Sequence, residues 1–192
     1  MAGPEVPGCA APDPELPVGA VAFGAVADHA GAASGAGGSG RERFLADAAA
    51  RGVDVQLVER PAASSLVEAA RILGIREEDI VKSLVVKRKD GRFLFALIPG
   101  GRQISWPKLR ALVGVNKLSL PAAEVALEAT GYERGTITPL GSTGAWPVYA
   151  DRSIAGRRIS LGAGDHGYSA FVDADALTAA LDAVVADISE PG

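Results

Sequence analysis

The chain has one cysteine and two histidines in 192 residues, and its first forty positions hold no lysine or arginine. With Cys9 alone, neither an internal disulfide framework nor a cysteine-built zinc site can form. Such cysteine usage fits a reducing compartment. His29 lies near the N-terminus, so His166 stands alone in the rest of the chain. A metal site built on His and Cys is therefore not expected. Aromatic residues are sparse at 5%, against 48% apolar overall, which suits a globular protein with an aliphatic core. No apolar run reaches the ~18 residues of a membrane helix. The mildly apolar Val18–Ala27 lacks the positive flank of a secretory signal, because the first base is Arg41; a cytoplasmic location is expected.

The formal charge is −4, from 23 acids and 19 bases. Glu5, Asp13, Glu15 and Asp28 account for all of it, leaving 19 acids against 19 bases from Arg41 onward. A protein that grips long nucleic acid needs a basic surplus, because phosphate neutralisation dominates such affinity. DNA and membranes are not expected partners, and any RNA contact should be local.

Residues 1–40 are dominated by Ala, Gly and Pro, ending in the run Gly31–Gly40, and read as a disordered tail. From Arg41 the pattern sharpens into one domain, 41–187, with 188–192 as a short C-terminal tail. Arg41–Arg51 reads as a helix closed by Gly52, and Val53–Val58 alternates like a strand. Ser64 or Ser65 can cap a helix running to Leu73 before Gly74. Ile80–Lys87 and Arg92–Ile98 are apolar strands around Asp90-Gly91, a type I′ hairpin signal. Ser105 and Pro107 open a short helix ending at Gly114, Lys117–Leu120 is a brief strand, and Pro121–Thr130 is helical. Residues 131–146 read as loop. Val148–Ala150, Arg157–Leu161 and Ser169–Val172 read as strands, and Asp173 caps a final helix through about Val185. Strand pairs with irregularly interspersed helices predict an α+β domain with a mixed, mainly antiparallel sheet and flanking helices.

Gly162-Ala-Gly164-Asp-His-Gly167 matches the dinucleotide pattern in letters only. That chemistry needs a helix N-terminus facing the pyrophosphate, whereas Tyr168–Val172 reads as a strand. No phosphate loop is present, so no nucleotide cofactor is expected. A Ser–His–Asp triad on His166 lacks a supporting G-x-S-x-G turn. Lys82 is different. On a strand it shares one face with Ile80, Leu84 and Val86, so its ammonium either reaches water at an edge or meets an anion at a pocket wall. The loop from Gly135 to Gly144 is long and glycine-rich; it is either a surface connection or a source of backbone N–H groups for an oxyanion. The residues alone stop at a small-ligand pocket and a hydrolase without a conventional nucleophile.

Taken together, several segments resemble the YbaK/EbsC family, which includes trans-editing aminoacyl-tRNA deacylases and the editing insertion of bacterial prolyl-tRNA synthetases. They are Glu68-Ala-Ala-Arg-Ile-Leu-Gly-Ile75, Ile80-Val-Lys82-Ser-Leu-Val-Val86, Arg92-Phe-Leu-Phe-Ala-Leu-Ile-Pro99, Lys108-Leu-Arg-Ala-Leu-Val-Gly114, Gly131-Tyr-Glu-Arg-Gly135-Thr-Ile-Thr-Pro139-Leu-Gly141 and Val148-Tyr-Ala-Asp151. The resemblance implies a compact domain around a mixed, curved sheet and a key lysine at Lys82. It also implies substrate contacts at Gly135, Thr136, Pro139 and Gly141 and in the turn Gly162, Gly164, Asp165 and His166. Synthetase-borne members carry a histidine shortly after that turn, where this chain has Tyr168-Ser169. The implied reaction is hydrolysis of the ester joining a small amino acid (Ala, Ser or Cys) to a mismatched tRNA, such as that for proline. Neither metal nor cofactor is required. The implied partners are the acceptor end of a mischarged tRNA and, in some settings, an aminoacyl-tRNA synthetase. Two alternatives stay open: a non-catalytic tRNA-end binding module, and a hydrolase of another small acyl ester.

Overall fold

The computed structural model describes residues 38–192. The expected N-terminal tail lies outside them as far as residue 37. In chain order the elements are α1 (Gly40–Ala50), β1 (Gln56–Glu59), α2 (Leu66–Leu73), β2 (Val81–Arg88), β3 (Phe93–Pro99), β4 (Arg102–Ile104), α3 (Trp106–Val113) and β5 (Leu118–Ser119). There follow α4 (Ala123–Thr130), β6 (Val148–Asp151), β7 (Arg158–Gly162), β8 (Tyr168–Asp173), α5 (Ala174–Ala180), β9 (Val184–Ala186) and β10 (Ser189–Pro191).

Alternation along β2 and β3 divides their apolar side chains between two cores. The strands pair antiparallel from Val81 opposite Pro99 to Lys87 opposite Phe93. Val81, Val85, Phe95 and Leu97 face one core with Phe44 of α1, Ile159 of β7 and Leu177 of α5. Val86, Leu94, Ala96 and Ile98 face the other, with Leu109 of α3 and Ile188. Both faces of β3 are thus buried, which explains its uninterrupted apolar run.

Pairing is mixed and mainly antiparallel, and the α+β class expected from the sequence is what the chain adopts. The strands fall into three sheets: five strands in the order β5-β2-β3-β6-β9, three in the order β1-β8-β7, and the pair β10-β4. Helix starts follow side-chain caps. Ser39 and Glu42 form a reciprocal capping box on α1, and Ser65 accepts from the N–H of Glu68 on α2.

Three local expectations are corrected. The β2–β3 turn is not type I′, because only Gly91 has a positive φ (85°). The N–H of Gly91 donates to Arg88 O at 3.1 Å and that of Arg88 to Arg92 O at 2.8 Å. This is a three-residue loop closed by a left-handed glycine, with Asp90 held by its contacts to Arg88 and Arg92 instead of being forced to positive φ. The last helix stops at Ala180 instead of near Val185; the β-branched pair Val184-Val185 enters a strand parallel to β6. Residues 188–192, expected as a tail, carry β10, which pairs with β4.

Asp151 ties this C-terminal segment down. It is 2% exposed, and its carboxylate accepts from Ser153 N at 3.0 Å, Ser153 Oγ at 2.5 Å and Ile188 N at 3.1 Å. Burial opposes its ionisation, yet hydrogen bonds from Ser153, Ser189 and Ile188 outweigh it and hold the carboxyl below its usual range. A lowered folded-state value stabilises the fold at pH above the unfolded carboxylate range, and that contribution fades as pH falls through the folded value. Asp151→Ala should lower unfolding stability by about 1–3 kcal/mol at neutral pH. Asp151→Asn should flatten the loss of stability between about pH 5 and pH 2. Denaturant midpoints across that range check both, and wild-type slopes in the Asn variant would contradict the assignment.

Candidate active site

One edge of β2 is open over most of its length. Gly100 N donates to Ile80 O at 2.7 Å, and Arg88 N to Arg92 O, so the backbone groups of even-numbered β2 residues point towards β3. Those of Val81, Ser83 and Val85 point the other way. On that side β2 pairs with β5 only at Lys87 and Arg88, and meets β7 only through the isolated bridge from Ile80 to Ser160. Between these two points the sheets part. The gap is a cleft of about 270 Å³ lined by Arg60, Ala69, Leu73, Ile80–Leu84, Arg134, Gly135, Ile137, Ser160–Gly162 and Ser169.

Lys82 sits in this lining, half-buried. The turn Pro99–Gly101 carries the chain back over the start of β2, so the Lys82 ammonium donates to the Arg102 carbonyl. Among the described residues no carboxylate forms an ion pair with it. Burial pushes its affinity for the proton below that of an ordinary lysine. Three donors on the ammonium and one protein acceptor leave capacity for an anionic or carbonyl ligand. Arg60 and Arg134 add two more cations, and the lining includes no Asp, Glu, His or Cys. Within a domain of balanced charge, this cleft is locally positive.

The expected site residues separate into three places. Lys82, Gly135 and Gly162 meet in the cleft. Thr136, Gly164, Asp165 and His166 line a neighbouring depression, where exposed His166 contacts Glu133 at 3.0 Å. Pro139 and Gly141 line a groove against α1. The reason lies in the loop's anchoring. Arg43 donates to Gly131 O at 2.7 Å and to Gly141 O at 3.4 Å, and Asp47 accepts from Gly141 N at 2.8 Å. Tyr132, buried and 1% exposed, donates to Leu140 O at 2.9 Å; burial pushes its hydroxyl up to about 12, so it stays a donor. The Gly141 N–H is thereby occupied, that of Thr136 bonds Glu133 O, and Pro139 has none. Of the expected loop residues only Gly135 reaches the cleft, where Ile137 joins it.

Sequence reading missed Arg60, Arg134, Ser83, Ser160 and Ser169. Arg60 donates to Ser169 Oγ at 2.7 Å, joining β1's end to β8. The hydroxyls of Ser83 and Ser160 are buried and have no hydrogen-bond partner among the described residues, although both residues line the cleft. Both oxygens are closed off from solvent, so they lie behind the lining and do not open into the cleft. A hydrophobic strand context hides such serines from pattern reading. Among the described residues no group of three or more His, Cys, Asp or Glu is placed to hold a metal ion, and no helix is long and apolar enough to cross a membrane.

The model of the aminoacyl-tRNA editing domain matches residues 60–180, which include every cleft residue. The chain belongs to this family. Its editing domain is 34% identical over 99 residues to the proline–tRNA ligase of Thermosipho melanesiensis, covering 52% of this chain and 17% of the ligase. The chain thus spans about a sixth of that relative's length. Among solved structures, a protein proposed as a trans-editing enzyme for prolyl-tRNA synthetase superposes with a TM-score of 0.71 at 29% identity, covering 79% of this chain and 97% of the other. The hypothetical protein APE2540 gives 0.72 at 29% identity, over 77% and 99%.

The editing domain's cleft wall depends on a close approach at Gly162. A Cβ there would lie 2.8 Å from Thr136 O and 2.9 Å from Ile137 O, both backbone atoms. Gly162→Ala should therefore force the loop off β7 and cost about 1–3 kcal/mol of stability. A thermal midpoint indistinguishable from wild type would show that the loop yields freely.

Proposed function

We propose that this editing domain is a trans-acting aminoacyl-tRNA deacylase that hydrolyses the ester of a small amino acid, of the Ala, Ser or Cys class, on a tRNA for proline. The observation that carries the reading is Lys82, a half-buried ammonium without a carboxylate partner among the described residues, in a cleft lined by cations, branched aliphatic residues and small residues. Family membership and the likeness to prolyl-tRNA synthetase relatives support the substrate class.

The cleft's size suits an aminoacyl group and part of the adjoining ribose. Pockets for drug-sized ligands run to roughly 300–1,000 Å³, and this one is smaller. Lys82, with Arg60 and Arg134, fixes the phosphate or ribose of the terminal nucleotide. Water adds to the ester carbonyl carbon, and the ribose oxygen leaves and takes a proton, giving free amino acid and intact tRNA. The lining supplies no Cys, His or carboxylate, so the nucleophile is activated by the substrate, with the neighbouring ribose hydroxyl as the nearest polar group. Backbone donors at the cleft end of the loop stabilise the oxyanion by on the order of 3 kcal/mol each. Selection by size has limited reach, since a methylene is worth only about 1–3 kcal/mol.

Deacylation of a panel headed by Ala-tRNA(Pro) and Cys-tRNA(Pro), with wild type and Lys82→Ala in parallel, tests the reading. The variant should fold normally and lose about 10²-fold in rate, as expected when an anchored ester shifts by an ångström. Near-wild-type rates in Lys82→Ala would remove Lys82 from the site. Binding of the panel without turnover by wild type would instead identify a tRNA-end binding module.

A further inference from the structure

We infer that the tip of the β2–β3 hairpin, together with Lys117, is a second RNA-contacting surface that holds the phosphodiester backbone of the tRNA acceptor end while its terminal nucleotide occupies the cleft. This rests on the deacylase reading above for its ligand, and extends it to a surface outside the cleft.

The domain from Arg41 onward is neutral, yet Lys87, Arg88, Lys89, Arg92 and Lys117 gather at one place with Asp90 as the one acid between positions 87 and 92. Strand pairing brings them together, because Lys87 and Arg88 lie opposite Ser119 and Leu118 of β5, next to Lys117. Arg88, Lys89, Asp90, Asn116 and Lys117 line a shared surface depression. Lys89 and Lys117 are exposed and form no ion pair with any described residue. Asp90 is occupied by Arg88 at 3.3 Å and Arg92 at 2.8 Å, so it offsets part of their charge and none of the two lysines'. The guanidinium groups of Arg88 and Arg92 are planar donors of the kind that matches phosphate oxygens.

The position is what points to the acceptor end. Lys82 and Arg88 lie towards opposite ends of the β2 stretch whose outer edge stays unpaired; that edge joins them, since Val86 on the face they share packs into the core under α3. The β5 contact at Lys87 and Arg88 is on the same edge of β2 as the cleft. Six residues of strand separate them by about 20 Å, within the reach of a few nucleotides from a terminal adenosine. A ligand whose end enters the cleft and whose body carries regularly spaced phosphates meets both cation groups along one line. An acidic protein partner would be satisfied by the patch alone and gives no reason for this alignment.

The test uses the full chain and the double variant Lys89→Gln/Lys117→Gln, which removes exposed charge without adding any. Affinity for unacylated tRNA for proline should fall about tenfold, and the salt slope of binding should decrease by about one per lysine removed. Hydrolysis of the matching aminoacyl-adenosine, which lacks the backbone, should match wild type, whereas kcat/KM on the mischarged tRNA should fall with the binding. Unchanged tRNA affinity and salt slope would overturn the inference, as would equal losses on both substrates. If wild type hydrolyses neither substrate, the deacylase reading fails by itself, and the salt-dependent tRNA binding still decides whether the hairpin contacts RNA.

Discussion

The incomplete pairing of β2 is the constraint on which the rest depends. One edge of the strand is fully engaged with β3, while the other touches β7 at Ile80 and β5 at Lys87 and Arg88, with a gap between. An open strand edge presents backbone polar groups that proteins normally cover or pair. Here the gap is walled by α2 and by the loop from Arg134 to Ile137, so the exposed backbone becomes the lining of a cleft. Lys82 gains its partial burial from the same arrangement. A ladder continued along this edge would have closed the space over it.

The loop that forms the opposite wall is long and has no regular structure, yet it is held at both ends by one helix. Arg43 grips the carbonyls of Gly131 and Gly141, Asp47 takes the N–H of Gly141, and Tyr132 hydrogen-bonds inside the loop. These bonds satisfy groups that would otherwise need water, and they keep the wall in place without ligand. A preorganised wall suits a reaction whose barrier is lowered by positioning and fixed dipoles more than by a reactive side chain.

Charge follows the same economy. The domain carries no general basic surplus, but the cleft concentrates Arg60, Lys82 and Arg134 without an acid among its lining residues. A second concentration of cations lies at the β2–β3 tip with Lys117, so positive charge is gathered at two places in a domain that is neutral as a whole.

Much of the architecture was legible in local sequence. Apolar runs on either side of Asp90-Gly91 marked β2 and β3, Ser64 or Ser65 and Gly74 bounded α2, and Lys82 stood out as a charge on an apolar strand face. The turn type failed because Asp90-Gly91 can close either a two- or a three-residue loop, and contacts to Arg88 and Arg92 decide between them. The end of α5 failed because Val184-Val185 suits a helix face and a strand alike, and only the neighbouring β6 makes the strand favourable. The candidate site was half legible: its lysine and glycines carry local signals, whereas Arg60, Ser83, Ser160 and Arg134 become site residues only when the sheets part. Local sequence was enough for most helices and for the central strands, and for which charge would be costly to bury, because those depend on neighbours a few residues away; β9 and β10 depend on distant partners. The tertiary structure alone decided which edge of β2 stays open, and therefore what Lys82 faces, because that depends on strands nearly eighty residues further along the chain.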